Sequence, residues 1–96
     1  MTTQEKIKQR LRETLAAHEV TVEDESAQHA GHAGAASGGG HYRVTVVSPL
    51  FEGKSLVARH RLVYDALATE MQREIHALAL TTLTPGQWSA TKMEQP

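Results

Sequence analysis

Six histidines and no cysteine define the metal chemistry open to this 96-residue chain. A neutral imidazole is a nitrogen ligand for transition metals, and it also titrates close to neutral pH. His76 sits in the strand-like segment Ile75-His76-Ala77-Leu78-Ala79-Leu80, where a regular backbone would fix its ring. His29-Ala30-Gly31-His32 carries two more imidazoles in a stretch dominated by alanine, glycine and serine. One ligand on a rigid element and others on a mobile loop suit a metal centre that must be engaged and released. The lack of thiols excludes a disulfide framework, a zinc knuckle and a thiolate nucleophile. The other histidines have ordinary structural readings. His60 falls within the apolar face of a helix, and His18 ends the first helix, where the negative end of the dipole suits it. His41 stands at a hairpin edge, on the side away from Tyr42, from where it could approach a metal centre, though it ranks below the loop histidines as a ligand.

The elements that must hold these rings follow from periodicity. Thr2 with Glu5 forms a capping-box pattern, and Ile7, Leu11 and Leu15 give one apolar stripe, so a helix is predicted over residues 3–18. Lys6, Lys8, Arg10 and Arg12 flank that stripe, their stems covering the core edge while their heads stay in water. Val20-Thr21-Val22-Glu23 alternates as a short strand. Ser26 to Gly40 loses all periodicity and reads as a flexible surface loop. His41 to Val47 is the second strand, with Tyr42, Val44 and Val46 on one face, pairing antiparallel with the first. Ser48 to Gly53 is a turn anchored by Phe51. Residues 55–71 form the longest predicted helix, with Leu56, Val63, Leu67 and Met71 buried and Arg61 and Asp65 pointing away. His76 to Leu83 is the third strand, parallel to its neighbour because a crossover helix precedes it. Thr84-Pro85 starts a short terminal turn with Trp88 packing back, and residues 89–96 read as a disordered tail. The order α-β-β-α-β-(α) with a mixed three-stranded sheet is an α+β fold, one domain across residues 1–96.

Composition narrows the function. A net charge of -1 argues against a protein built mainly to grip nucleic-acid phosphates. No apolar run approaches the ~18 residues that a membrane span needs, and a soluble, cytoplasmic protein is expected. Enzymatic chemistry lacks its parts: there is no convincing nucleophile–base pair, phosphate loop or paired carboxylates. Ser26 beside His29 lies in the least ordered stretch, without a third group to orient it.

The ordered set Glu25-Ser26-x-x-His29, His41-Tyr42-Arg43-Val44, Ser48-x-x-Phe51-x-Gly53, Arg59-His60-Arg61-x-Val63-Tyr64, His76-Ala77-Leu78-Ala79-Leu80 and Thr84-Pro85-x-x-Trp88 strongly resembles the BolA family. The likeness runs from about residue 5 to residue 88. It implies a class II KH-like fold and partnership with a monothiol glutaredoxin, whose cysteine and bound glutathione hold one side of a [2Fe-2S] cluster. The BolA-like chain then supplies the histidine of the last strand, His76 here, and a second ligand from the loop between the first strands. With no cysteine, this chain would be of the histidine-loop type, with His29 in that position and His32 as a nearby second imidazole. Two imidazoles are too few for a cluster that ordinarily takes four ligands, so the missing pair must come from another molecule. Histidine ligation should also raise the reduction potential and make binding pH-sensitive. Arg59, Arg61, Lys54 and Trp88 are the candidate partner or nucleic-acid contacts, and the free protein is expected to be a monomer. The family name also carries a second class of function, a DNA-binding regulator of stress response and cell morphology. Against it stand the near-neutral charge, the few aromatics and the lack of a Gly-x-x-Gly clamp; Gly53-Lys54-Ser55-Leu56 does not match one.

Overall fold

A computed structural model describes residues 1–26 and 40–93 of the chain. Helix α1 (Thr3–Leu15) is followed by strands β1 (Glu19–Asp24) and β2 (Gly40–Val47) and a 3-10 turn over Pro49–Phe51. Helices α2 (Leu56–Ala66) and α3 (Ala68–Arg73), strand β3 (Ile75–Leu83) and helix α4 (Pro85–Met93) complete the described residues. The sheet order is β1-β2-β3, with β1 antiparallel and β3 parallel to β2. This is the expected α+β architecture with a mixed three-stranded sheet.

The apolar stripe of α1 and the inner face of β2 form the core. Ile7, Leu11, Val44, Val46, Phe51, Val63 and Leu67 are all fully buried. Burying each such side chain stabilises the fold by about 1.5–3 kcal/mol. The alternate residues Thr21, Glu23, Arg43, Ala79 and Thr81 are exposed, so helices α1 and α2 cover one side of the sheet only. Among the described residues no helix is long and apolar enough to cross a membrane.

Thr2 caps α1 as predicted: its hydroxyl accepts from the Glu5 N–H at 3.1 Å, and the Glu5 carboxylate accepts from Thr2. The Thr2 hydroxyl bond holds the Glu5 carboxyl below its ordinary range, with a smaller contribution from the Thr2 backbone. The helix ends earlier than the predicted residue 18, because Ala16 turns left-handed at φ 52°. His18 therefore lies beyond the helix instead of at its last turn, and its N–H donates to the Val47 carbonyl at 2.8 Å.

The predicted helix over 55–71 is two helices broken at Leu67 (φ -101°, ψ 18°), and α1 is the longest helix among the described residues. The bend keeps Leu67 in the core and turns α3 toward α1. There Glu70 meets Arg10 at 3.4 Å, and Glu74 meets Lys6 at 2.9 Å. Leu56, expected in the buried stripe, is 61% exposed because it opens the first turn, ahead of the part that crosses the sheet. Residues 89–93 are helical instead of a disordered tail, since Pro85 starts α4 as a full helix. Trp88 is half-buried outside the core cluster, with the Lys92 ammonium 4.9 Å over its ring.

Candidate functional site

Strand β3 carries one more residue than β2 at its start. Gly40 pairs with Ile75 and His41 with Ala77, so His76 is the extra residue of a bulge. A bulge re-aims the side chain it carries. Here it brings the exposed His76 ring to 5.2 Å, centroid to centroid, from the half-buried ring of His41, with the planes tilted by 49°. Position 40 has no room for a side chain unless Tyr42 shifts: a Cβ there would lie 2.4–2.7 Å from Cε2, Cζ and the hydroxyl oxygen of Tyr42.

The same end of the sheet closes the connection between β1 and β2. The Glu25 N–H donates to the His41 carbonyl at 2.7 Å, and the His41 N–H donates to Ser26 Oγ at 3.0 Å. The Ser26 N–H donates to Asp24 Oδ1 at 2.9 Å, and Ser26 holds the Asp24 carboxyl below its ordinary range. Arg43 pairs with Glu25 at 3.2 Å. Glu25, His41, Tyr42, Ala77, Leu78 and Ala79 line a shallow recess of about 250 Å³ beside the ring pair. His29 and His32 lie outside the described residues. Ser26 and Gly40, which bracket their segment, both stand at the His76 end of the sheet.

The remaining candidates sit elsewhere. Arg59 is committed within the fold: its guanidinium donates to the carbonyls of Lys54 (3.1 Å) and Thr82 (3.2 Å) and to Gln87 Oε1 (2.9 Å), and lies over Phe51. It pairs with neither Glu70 nor Asp65. Lys54 and Arg61 are exposed at the start and outer side of α2. His60 is half-buried, its Nε2 enclosed without a hydrogen-bond partner among the described residues, which agrees with a packing role. The structure thus unites His76 with His41, which sequence reading ranked below the loop histidines. Strand spacing alone does not reveal a bulge, and only the glycine preceding His41 hints at one.

Two neighbouring imidazoles supply two nitrogen donors. Among the described residues no group of three or more His, Cys, Asp or Glu side chains forms a metal cage. Two imidazole nitrogens are half of the four ligands that an iron–sulfur cluster ordinarily takes.

A small α+β domain with a half-covered mixed sheet and an imidazole pair at one end defines the class. The family model described as BolA-like protein matches residues 11–87, and the chain belongs to that family. It is 44% identical over 82 residues to BolA-like protein 1 of Homo sapiens, covering 85% of this chain and 58% of that protein. It is 39% identical over 88 residues to the DNA-binding transcriptional regulator BolA of Escherichia coli (strain K12), covering 92% and 81%. The solution structure of BolA1 protein from Mus musculus superposes with a TM-score of 0.78 at 39% identity, covering 96% of this chain and 72% of that one. The chain spans 24–58% of the length of several curated relatives that it matches.

Proposed function

We propose that the chain is an adaptor that binds a monothiol glutaredoxin and completes a [2Fe-2S] cluster through histidine nitrogen, in cluster trafficking or in iron and redox regulation. The observation that carries this reading is His76 itself: exposed, set on a bulge, and beside a second imidazole at the neck of the segment holding His29 and His32. A bulge fixes the His76 backbone, so the ring is presented without ordering a loop on binding. The cluster would supply electron storage and transferable iron and sulfide. The chain would supply neutral, proton-linked ligands that hold it less firmly than thiolates. His29 or His32 would be the second ligand, and His41, at 5.2 Å from His76, orients that ring or takes the place of a loop ligand.

Co-expression with a monothiol glutaredoxin tests this directly. The purified mixture should show visible absorption and circular dichroism that neither protein shows alone. His76→Ala should abolish that signature while the cluster-free pair still associates. An unchanged spectrum in the variant would remove His76 from the site. The double change His29→Ala with His32→Ala should weaken retention more than either alone.

A second reading, DNA contact, is favoured by the exposed Lys54, in the turn before α2, and Arg61 on α2, and by the regulator among the relatives. A mobility-shift titration against salt separates the two. Sequence-selective binding that survives near-physiological salt would support the regulator.

A further inference from the structure

The two edges of the sheet are protected differently. Strand β1 carries Glu19, Glu23 and Asp24, charges that discourage another strand from pairing with it. Strand β3, the other edge, reads Ile-His-Ala-Leu-Ala-Leu-Thr-Thr-Leu, with no Asp, Glu, Lys, Arg or proline. Its orientation follows from two hydrogen bonds. The Leu83 carbonyl accepts from the Ser48 N–H beyond β2, so it faces inward, whereas the Thr82 carbonyl accepts from Arg59 and faces outward. Backbone groups alternate sides along a strand. The N–H and C=O of Leu78 and Leu80 therefore also face outward, and no other element bonds to them among the described residues. Arg59 closes the edge at Thr82, and the bulge closes it at His76.

Helix α2 adds a second observation. Leu62 and Ala66 are half-buried against the core, and Val63 and Leu67 are fully buried in it. Val57, Arg61 and Tyr64 occupy the other flank, where Val57 is 64% and Tyr64 40% exposed. Helix α1 lies over β1, and α2 lies against β3. In the right-handed crossover from β2 through α2 to β3, the side of α2 that carries Tyr64 turns toward the outer edge of β3.

We propose that the β3 edge and this flank of α2 form a homodimer interface, in which β3 pairs antiparallel with β3 of a second copy about Ala79. That register sets Leu78 against Leu80 of the second copy and the reverse, using only the outward groups left open, with Ala79 facing Ala79. Of the edges this chain offers, β3 alone is self-compatible. Two β1 edges would oppose acid to acid, and a β1–β3 pairing would leave edges open and propagate instead of closing. The two-fold axis also brings the Val57 and Tyr64 flanks of both copies together, and yields a continuous six-stranded sheet.

Sedimentation of the full chain across a wide concentration range tests the proposal. The apparent mass should rise from one chain toward two, and the Leu78 and Leu80 amides should exchange more slowly in the concentrated sample. Ala79→Lys and Ala79→Glu, each at an exposed position outside the core, should each stay monomeric, since like charges then face each other across the axis. An equal mixture of the two should recover the dimer. Val57→Asp should weaken association at least tenfold without lowering thermal stability. Mass that stays at one chain throughout, or a dimer whose Leu78 and Leu80 amides are no slower to exchange, would overturn the proposal. So would a mixture that fails to recover association.

Discussion

At position 40 the backbone is ordinary, so the requirement for glycine is purely one of space. Gly40→Ala would push a methyl group to 2.4 Å from the Tyr42 ring, and Tyr42 is held in the core. The ring must shift, at a cost of about 1–3 kcal/mol, read as a lower denaturant midpoint with an unchanged slope. The His41–His76 approach should loosen with it, because both rings hang on the same bulge. Ser48 is a second such residue. Its hydroxyl donates to the Leu15 carbonyl at 2.5 Å and accepts from the Leu50 N–H at 3.1 Å, in full burial. Ser48→Ala leaves that carbonyl and that N–H without the hydroxyl, and should destabilise by about 1–3 kcal/mol in the same measurement.

Elements are tied to one another by a few polar links, and one of these responds to acid. Glu74, just before β3, accepts from Lys6 and Thr3 of α1, each at 2.9 Å. The Lys6 bond first, and the Thr3 bond next, hold its carboxyl below the ordinary value of 4.5. A carboxylate with a depressed folded value stabilises fully above its unfolded value and loses that contribution as pH falls through the folded one. The melting temperature of Glu74→Gln should therefore lie below that of the parent at neutral pH. The gap should close as pH drops below 4.5. Element boundaries show how far sequence reading reaches. Ile7, Leu11 and Leu15 announced α1, and the capping box fixed its start; its end depended on Ala16 adopting a left-handed turn, which alanine does not advertise. The break at Leu67 has no proline or glycine to mark it. Ion pairs between α1 and α3 accompany the bend, and contacts across 60 residues have no local signature. His76 was legible because a strand repeat surrounds it. Its neighbour His41 was less so, because a bulge is a property of two strands together.

Across the whole molecule, Arg59 joins parts that are distant in sequence. It links the turn before α2, the end of β3 and the first turn of α4 through three hydrogen bonds. The Gln87 amide oxygen it meets also accepts from the Thr84 N–H, so α4 docks through the same point. Arg59→Met keeps an unbranched apolar side chain and removes these bonds together with the guanidinium over Phe51. Helix α4 should then detach before the rest of the fold melts. The single tryptophan, Trp88, reports it: its emission should shift to the red at a lower temperature than the loss of far-ultraviolet ellipticity. Parent protein should show the two transitions together.

The hydrogen bonds between Glu25, Ser26 and His41 act as a clasp at the mouth of the β1–β2 connection. Because the strands are registered by the clasp and by their own ladder, the intervening stretch is free to differ in length without disturbing either. Ring closure depends only logarithmically on the number of residues, so doubling that stretch costs about 0.6 kcal/mol. Removing four residues from 27–39 should leave the melting temperature within a few degrees of the parent, as differential scanning calorimetry would record. Sheet register is thereby insulated from whatever residues the chain carries between Ser26 and Gly40.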